Sequence, residues 1–294
     1  MLMADRGHTA TVAEALLACL SHAFTTEHEE IMGLLLGDTI AGGASGEDLV
    51  TRIWIAYPQV RTDRRRDRVE TSPEQMARCS AHAEKLSQVT GVRTRVVGWY
   101  HSHPHITVLP SHVDLKTQAL YQMLDPNFVG LIFSVFNGDR ATQMNTMQAT
   151  AFRAGSVVVA SPTLSPPLFS HQPVACRVVQ CKGGSERSSL RDLAVVQQTL
   201  LVEEKEALDR ALGSGSGGNG SSHPDPLTTL HHLGTHTSTL CAMLGVSLAP
   251  TISALEDRLQ QQAVQVSQLR AMNAQLYGLL LAAEAGPESH ESSS

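Results

Sequence analysis

One stretch near the middle of the chain, residues 96–114, constrains its fold more than any other. The stretch begins VVGWYHSHP and ends PSHVD. Its apolar first half predicts a β-strand, and on a strand the side chains of residues two apart point to the same side. His101 and His103 would therefore present two imidazoles to one point. Pro104 would end the strand, because proline has no N–H to donate to a neighbouring strand.

The second half of this stretch predicts a loop followed by a helix. Ser111 and Asp114 form a Ser-x-x-Asp capping pattern, which puts the Asp114 carboxylate in the first helical turn, within reach of the two imidazoles. Two imidazoles and one carboxylate, with a fourth position open, are the ligands of a catalytic rather than a structural zinc ion. Each part alone has a plainer explanation, since His-x-His pairs are common and a serine and an aspartate can simply cap a helix.

The residues around this stretch indicate an α+β fold, with a β-sheet core flanked by helices. Apolar periodicity and capping residues predict helices over 11–24, 73–89 and 111–125. Apolar or alternating runs predict strands over 31–37, 49–57, 92–100, 128–136, 141–153 and 174–182. We therefore expect a first domain over residues 8–183.

A helical C-terminal region follows. We expect a charged helix over 186–212, a Gly/Ser-rich flexible linker over 213–226, helices with coiled-coil character over 227–285 and a disordered tail over 286–294. The coiled-coil prediction depends on a heptad seam formed by Leu255, Leu259, Gln262, Val266, Leu269, Asn273, Leu276 and Leu280. Such a seam packs on its own domain or on another chain, and we expect another chain because the seam lies beyond a flexible linker.

The composition excludes some classes of function. The net charge is -6 and aromatic residues are 4% of the chain, which argues against a surface that binds nucleic acids. The basic segment at residues 61–68 is either a solvated loop or a docking patch for an acidic partner. The N-terminus lacks the pattern of a signal peptide, and the most apolar run, residues 276–283, is too short to span a bilayer, so we expect a soluble intracellular protein.

The central motif resembles that of the JAMM (MPN+) metalloproteases, which is an upstream glutamate, His-x-His, seven intervening residues and then Ser-x-x-Asp. Residues 101–104 (HSHP) and 111–114 (SHVD) match this motif residue for residue. Over about residues 11–136 the chain is also similar to the BRCC-type lysine-63-specific deubiquitinases, the catalytic subunits of the BRISC and BRCA-containing complexes. This similarity is carried by residues 26–33, 67–70, 72–75 and 95–111.

The resemblance implies a role for each residue of the motif. His101, His103 and Asp114 would ligate one catalytic Zn2+ ion, and Ser111 would donate a hydrogen bond to the oxyanion. Glu30 would be the general base that takes a proton from the water and passes it to the leaving lysine amine.

The residue pattern alone does not single out Glu30 among the 28 acidic residues of the chain. Glu29 is the adjacent alternative, and its side chain should point the other way if a strand begins there. We treat His105 and His112 as non-ligands, and we expect Trp99 and Tyr100 to pack the site rather than to take part in the chemistry.

The resemblance implies an isopeptidase that hydrolyses lysine-63-linked polyubiquitin within a multisubunit complex of the DNA repair and signalling type, in the nucleus and cytoplasm. A catalytically inactive MPN subunit would bind through the C-terminal helices, and the isolated chain would have little activity. Two alternatives stay open, an isopeptidase for another ubiquitin-like modifier and a non-catalytic MPN scaffold. The presence of all five motif residues argues against the scaffold.

Overall fold

The computed structural model of the chain describes residues 9–42, 48–61, 72–138, 145–156, 169–179, 190–213 and 225–284. The chain divides into two compact units, Met1–Ala242 and Met243–Ser294. The first contains a mixed β-sheet with helices, and the second is helical where it is described. The prediction of an α+β fold followed by a helical C-terminal region is confirmed.

The described residues of the first unit form one sheet of eight strands. They are β1 (Thr9–Val12), β2 (Met32–Gly42), β3 (Asp48–Pro58), β4 (Arg95–Pro104), β5 (Val129–Gly138), β6 (Asn145–Ser156), β7 (Phe169–Val174) and β8 (Cys176–Val179). Their order across the sheet is β7-β6-β5-β4-β2-β3-β1-β8. The strand with the two histidines, β4, is thus an inner strand, antiparallel to β2 and parallel to β5.

The described part of the chain also contains six α-helices. They are α1 (Ala13–Ala23), α2 (Pro73–Thr90), α3 (His112–Leu124), α4 (Leu190–Gly213), α5 (Pro226–Met243) and α6 (Ala249–Glu284), with a π-helical turn at Leu244–Leu248. Local sequence sets the ends of α2: the Ser72 hydroxyl accepts a hydrogen bond from the Gln75 N–H, and Gly91 ends the helix with a φ of 66°. Glycine takes this left-handed conformation without steric cost.

Helices cover both faces of the sheet, and successive residues of β4 point to opposite faces. Trp99 packs on the face of α2 and α3, where its indole Nε1 donates to Gln118 of α3. Tyr100 points to the face of α1, where its hydroxyl lies 3.0 Å from Nδ1 of His22. Residues 101 and 103 therefore share the face of Trp99, which is the face that carries α3.

One predicted strand is wrong. The sequence predicts a single strand over 174–182, but β7 ends at Val174 and β8 begins at Cys176, on opposite edges of the sheet. Consecutive Cα atoms lie about 3.8 Å apart, so the sheet must curl until its two edges approach each other at this point. The local pattern does not reveal the break, because it results from pairing β7 with β6 and β8 with β1.

Some predictions concern residues outside the described ranges. They are most of the Gly/Ser-rich linker (214–224), the C-terminal tail (286–294) and all of the basic segment except Arg61. In the part of the chain that the structure describes, no helix is both long enough and apolar enough to cross a lipid bilayer.

Candidate metal centre

Three side chains from β4 and α3 meet at one point. His101 and His103 come from the end of β4 and Asp114 from the first turn of α3, and all three are buried. The two Nε2 atoms are 3.0 Å apart, and Asp114 places one carboxylate oxygen 3.3 Å from His101 Nε2 and the other 3.5 Å from His103 Nε2. Within the described residues, this is the one group of three or more His, Cys, Asp or Glu side chains that could hold a metal ion.

The donor atoms of the three residues lie close enough together to share one metal ion. Zinc binds imidazole nitrogen and carboxylate oxygen at about 2.0–2.2 Å, so two tetrahedral ligands lie about 3.4 Å apart. The two imidazole nitrogens are 3.0 Å apart, and a different oxygen of Asp114 lies near each of them, at 3.3 and 3.5 Å. One donor atom from each of the three residues lies within 4.8 Å of the other two. Two histidines and one carboxylate leave a fourth position for water or substrate, as in catalytic zinc sites.

Neighbouring groups fix the orientation of both imidazoles. His103 Nδ1 donates to the backbone carbonyl of Thr107 at 2.7 Å, which leaves its Nε2 lone pair available to a metal. His101 Nδ1 has no hydrogen-bond partner among the described residues. Instead, its ring stacks on Trp99, with ring centroids 4.6 Å apart and planes inclined by 10°. Since Trp99 Nε1 donates to Gln118 Oε1 at 2.7 Å, α3 also sets the plane of His101.

The negative charge of Asp114 favours cation binding, whereas a proton on His103 competes with a metal ion for Nε2. Burial alone would raise the pKa of Asp114, but hydrogen bonds from His101 and His103 hold it well below its usual range. Burial would likewise lower the pKa of His103, but its interactions with Asp114 and with the Thr107 carbonyl raise it above the ordinary value. Asp114 is therefore ionised at neutral pH and supplies a negative charge to the site.

Ser111 joins Asp114 in a capping box at the start of α3. The Ser111 hydroxyl accepts from the Asp114 N–H at 3.2 Å, and the Ser111 N–H donates to Asp114 Oδ2 at 2.6 Å. A hydroxyl that accepts a hydrogen bond can still donate its own O–H. Capping and a catalytic role for Ser111 are thus compatible, and the cap itself orients the Asp114 carboxylate toward the histidines.

Glu30 lies on the same face of the sheet as the two histidines. Ser102 N–H donates to the Ile31 carbonyl and Ile31 N–H donates to Ser102 Oγ, both at 3.0 Å. β2 begins at Met32, and the hydrogen bonds of Ile31 continue the pairing one residue further, so that Glu30, just before Ile31, comes toward the face of His103. The charge of Glu30 accordingly contributes to the raised pKa of His103.

Glu29 points to the other face of the sheet. Its carboxylate accepts a hydrogen bond from Arg61 Nη1 at 2.8 Å, and the same guanidinium binds Glu203 of α4. The structure therefore separates the two neighbouring glutamates, one toward the candidate metal ligands and the other toward a buried arginine.

Sequence reasoning missed several residues that support the site. Gln118 is fully buried. Its place three positions after the apolar Leu115, on the same face of α3, is a sequence signal that could have identified it as a buried polar residue. The Thr107 carbonyl gives no sequence signal, because any residue carries one. The contact of Arg61 with Glu203 joins residues 142 positions apart, and composition cannot pair them. His105 and His112 lie outside the group of three.

Comparison with known families gives two matches to this chain. Residues 8–127 match the family described as JAB1/Mov34/MPN/PAD-1 ubiquitin protease. Residues 189–276 match the family described as BRCC36 C-terminal helical domain. The first match contains all five residues of the predicted site, and the second begins at the start of α4.

Curated proteins are similar to the chain over most of its length. Lys-63-specific deubiquitinase BRCC36 of Xenopus tropicalis is 36% identical over 263 positions, covering 90% of this chain and 93% of that protein. Lys-63-specific deubiquitinase BRCC36-like of Mus musculus is 37% identical over 275 positions, covering 87% and 90%. Lys-63-specific deubiquitinase BRCC36 of Homo sapiens is 36% identical over 284 positions, covering 85% and 88%.

Proposed function

The chain belongs to the JAB1/Mov34/MPN/PAD-1 ubiquitin protease family, and we propose that it is a zinc-dependent deubiquitinase that hydrolyses lysine-63-linked polyubiquitin. Residues 8–183 would form the catalytic domain. The observation that carries the proposal is the convergence of His101, His103 and Asp114 at one point, with Glu30 on the same face of the sheet.

His101, His103 and Asp114 would hold one zinc ion, because their donor atoms converge at one buried point. When bound, zinc would supply Lewis acidity, lowering the pKa of a water to about 7 and polarising the scissile carbonyl. The protein contributes the geometry: Trp99 and the Thr107 carbonyl hold the two rings, and the capping box holds the carboxylate. Such outer contacts commonly orient metal ligands.

Glu30 would act as general base and then as general acid. It would accept a proton from the attacking water and deliver it to the lysine amine that leaves when the isopeptide C–N bond breaks. A general base must lie within one hydrogen bond, or one bridging water, of the proton that it moves. The position of Glu30 opposite His103 supports this role, whereas Arg61 holds the Glu29 carboxylate on the other face.

Ser111 would stabilise the oxyanion that develops on the substrate carbonyl. Its hydroxyl already accepts from Asp114 N–H, so the capping geometry holds the oxygen beside the ligands while its proton can be donated. Donors held in place before the reaction lower the barrier, because they need no reorganisation as charge develops.

The linkage preference and the partner are drawn from the relatives and from the C-terminal helices. The curated relatives are named for lysine-63 specificity, and their similarity extends through the helical region. In α6 the apolar heptad residues after Leu255 are exposed on this chain alone, with exposed fractions of 69% for Leu259 and 47% for Val266. A catalytically inactive MPN subunit would cover this seam, in a larger complex that acts in the nucleus and cytoplasm.

The test uses the full-length chain, tagged and purified from cells together with its bound subunits. Wild type, Glu30→Gln and Glu27→Gln are compared for zinc content and for cleavage of di-ubiquitins of each linkage and of other ubiquitin-like conjugates. Loss of the general base should lower kcat by about 100- to 10,000-fold with zinc retained in Glu30→Gln. Glu27→Gln is the matched control, because Glu27 is half-exposed and lies three residues earlier on the same segment.

Full activity of zinc-loaded Glu30→Gln would contradict the mechanism. Equal cleavage of all linkages, or cleavage only of another modifier, would contradict the proposed substrate. Robust lysine-63-specific cleavage by a purified monomer would contradict the requirement for a partner.

A further inference from the structure

A buried ion-pair network links α4 to the segment that carries Glu30. We call Glu29, Arg61 and Glu203 the Arg61 network. Arg61 Nε donates to both oxygens of Glu203, at 3.2 and 3.1 Å, and Nη2 donates to Oε2 at 2.7 Å. The Arg61 backbone N–H donates to the same carboxylate at 2.7 Å, and Nη1 donates to Glu29 at 2.8 Å.

The burial of this network shows that it is not a surface ion pair. The side chains of Glu203 and Arg61 are 1% and 8% exposed, whereas Glu29 is 26% exposed. Buried charges lose their hydration and remain charged only when their partners are well placed. The guanidinium donates three hydrogen bonds to Glu203 and one to Glu29, so Glu203 of α4 holds it in position.

The Glu30 segment is held on both sides by these contacts and by β4. On the N-terminal side, Glu29 is bound to Arg61. On the C-terminal side, Ile31 exchanges two hydrogen bonds with Ser102, the residue between the two histidines. The backbone of Glu30 thus lies between two anchors, one on α4 through Arg61 and the other on the strand of metal ligands.

We propose that Arg61 and Glu203 are positioning residues that place Glu30 for proton transfer, and that they couple α4 to the active site. The inference rests on the proposed role of Glu30 as general base. Neither residue contacts the ligand group, and both act on the opposite face of the sheet. α4 begins the region matched by the C-terminal helical family. A shift of this helix would be transmitted to the backbone of Glu30 through the side chains of Arg61 and Glu29.

The geometry requires an arginine at position 61. A guanidinium presents five N–H donors in a rigid plane and can bind two carboxylates at once, whereas a lysine ammonium is a compact charge on a flexible chain. Arg61→Lys would keep the charge and give up the simultaneous contact with Glu29 and Glu203. Small displacements of a catalytic group are costly, and a misplacement of about 1 Å can reduce a rate about 100-fold.

The experiment compares variants of the network with matched controls in the complex purified through the full-length chain. Arg61→Lys, Glu29→Ala and Glu203→Gln test the network. Glu27→Gln is the control on the Glu30 segment, and Glu206→Gln, exposed on α4, is the control on the helix.

Each variant is measured for kcat and KM on lysine-63-linked di-ubiquitin, for zinc content, and for amide hydrogen exchange of peptides spanning residues 26–34. We expect the three network variants to lower kcat about 10- to 100-fold, with KM within twofold and zinc retained. Exchange at the Ile31 amide should become faster, because the segment loses one of its two anchors. The two controls should match wild type in all four measurements.

The outcomes separate this inference from the proposed function. If Glu30→Gln is fully active with zinc bound, Glu30 is not the general base, and both proposals are wrong. Glu30→Gln inactive, with the network variants equal to their controls, would overturn the positioning role alone. Loss of zinc or a parallel rise in KM in the network variants would also overturn it, since that pattern indicates general disruption. If Glu203→Gln does not fold, Glu29→Ala still decides the matter, because Glu29 is partly exposed and its removal leaves the Arg61–Glu203 pair intact.

Discussion

His22 gives a stability prediction that does not depend on the metal. It is fully buried, with Nδ1 3.0 Å from the Tyr100 hydroxyl and with no partner for Nε2 among the described residues. Burial, and secondarily the charge of Arg61, lowers the pKa of His22 to about 3. The folded chain therefore keeps this ring neutral well below neutral pH, and we expect His22→Gln to make stability less dependent on pH.

The size of the effect follows from the difference between the folded and unfolded pKa values. In the unfolded chain His22 takes up a proton with a pKa of about 6.5, whereas in the folded chain it does so only near pH 3. As the pH falls from 7 to 5, the unfolded state gains a proton that the folded state does not, so folding stability falls by about 2 kcal/mol. The contribution of the neutral, buried His22 to folding stability is fully present above pH 6.5 and is lost progressively as the pH falls toward 3.

The helix dipole at the end of α1 favours a protonated His22, but this effect is too weak to cancel the effect of burial. His22 lies in the last turn of α1, where the helix dipole favours a positive charge by at most about 2 kcal/mol. The shift from 6.5 to about 3 corresponds to about 5 kcal/mol favouring the neutral ring. Burial therefore decides the protonation state of His22.

The assay is urea unfolding at pH 7 and pH 5, followed by the fluorescence of Trp54 and Trp99, which both lie in the sheet. The control is His28→Gln, in which an exposed histidine is replaced. Between pH 7 and pH 5, the free energy of unfolding of wild type and of His28→Gln should fall by about 2 kcal/mol more than that of His22→Gln, which corresponds to about 4–8 °C in Tm. Titration of the metal ligands is common to all three proteins and cancels in the comparison. If His22→Gln loses as much stability as wild type, His22 is not held neutral and the reasoning fails.

Two further predictions concern the site itself. Ser111→Ala should cost about 0.5–2 kcal/mol of stability through the lost cap and about 100- to 1,000-fold in kcat. Ser111→Asp should keep the cap but lose the activity, and a fully active Ser111→Ala enzyme would contradict the oxyanion role. Gln118→Leu frees Trp99 from its place over His101, so zinc affinity in a chelator competition should fall about 10- to 100-fold. Lys116→Gln, a change at an exposed position of α3, is the control, and an equal loss of zinc affinity in both variants would contradict this explanation.

The predictable part of the site is the part set by local backbone geometry. The two-residue period of a strand suffices to put His101 and His103 on one face. The spacing of Ser111 and Asp114 suffices to start α3 and to place a carboxylate in its first turn. These features need only the neighbouring residues of the chain, so the sequence indicates them directly.

The remaining features depend on contacts between residues that are distant in the chain. The Arg61 network is one, because nothing near Glu203 in a charged helix marks it as buried rather than solvated. The break between β7 and β8 is another, since it arises when one short segment serves both edges of a curled sheet. In both cases tertiary contacts override a local pattern that favours the simpler structure.

The choice between Glu29 and Glu30 depends on an irregularity in the pairing of β2 with β4. Leu36 lies opposite Val96, but Leu35 lies opposite Gly98, so Val97 is an extra residue on β4. A β-bulge of this kind shifts the register of everything beyond it. Gly98 permits the close approach of β5 at this point, since a Cβ there would lie 2.5 Å from a backbone oxygen of β5.

If Val97 were paired with Leu35 in a regular ladder, with no bulge, Glu29 rather than Glu30 would lie opposite His103. A slip of one residue carries every side chain of a strand to the other face of the sheet. Glu29 would then face the metal ligands, and Glu30 would face Arg61. The bulge at Val97, some seventy residues further along the chain, therefore decides which of the two glutamates faces the candidate ligands, and the residues that flank the glutamates do not.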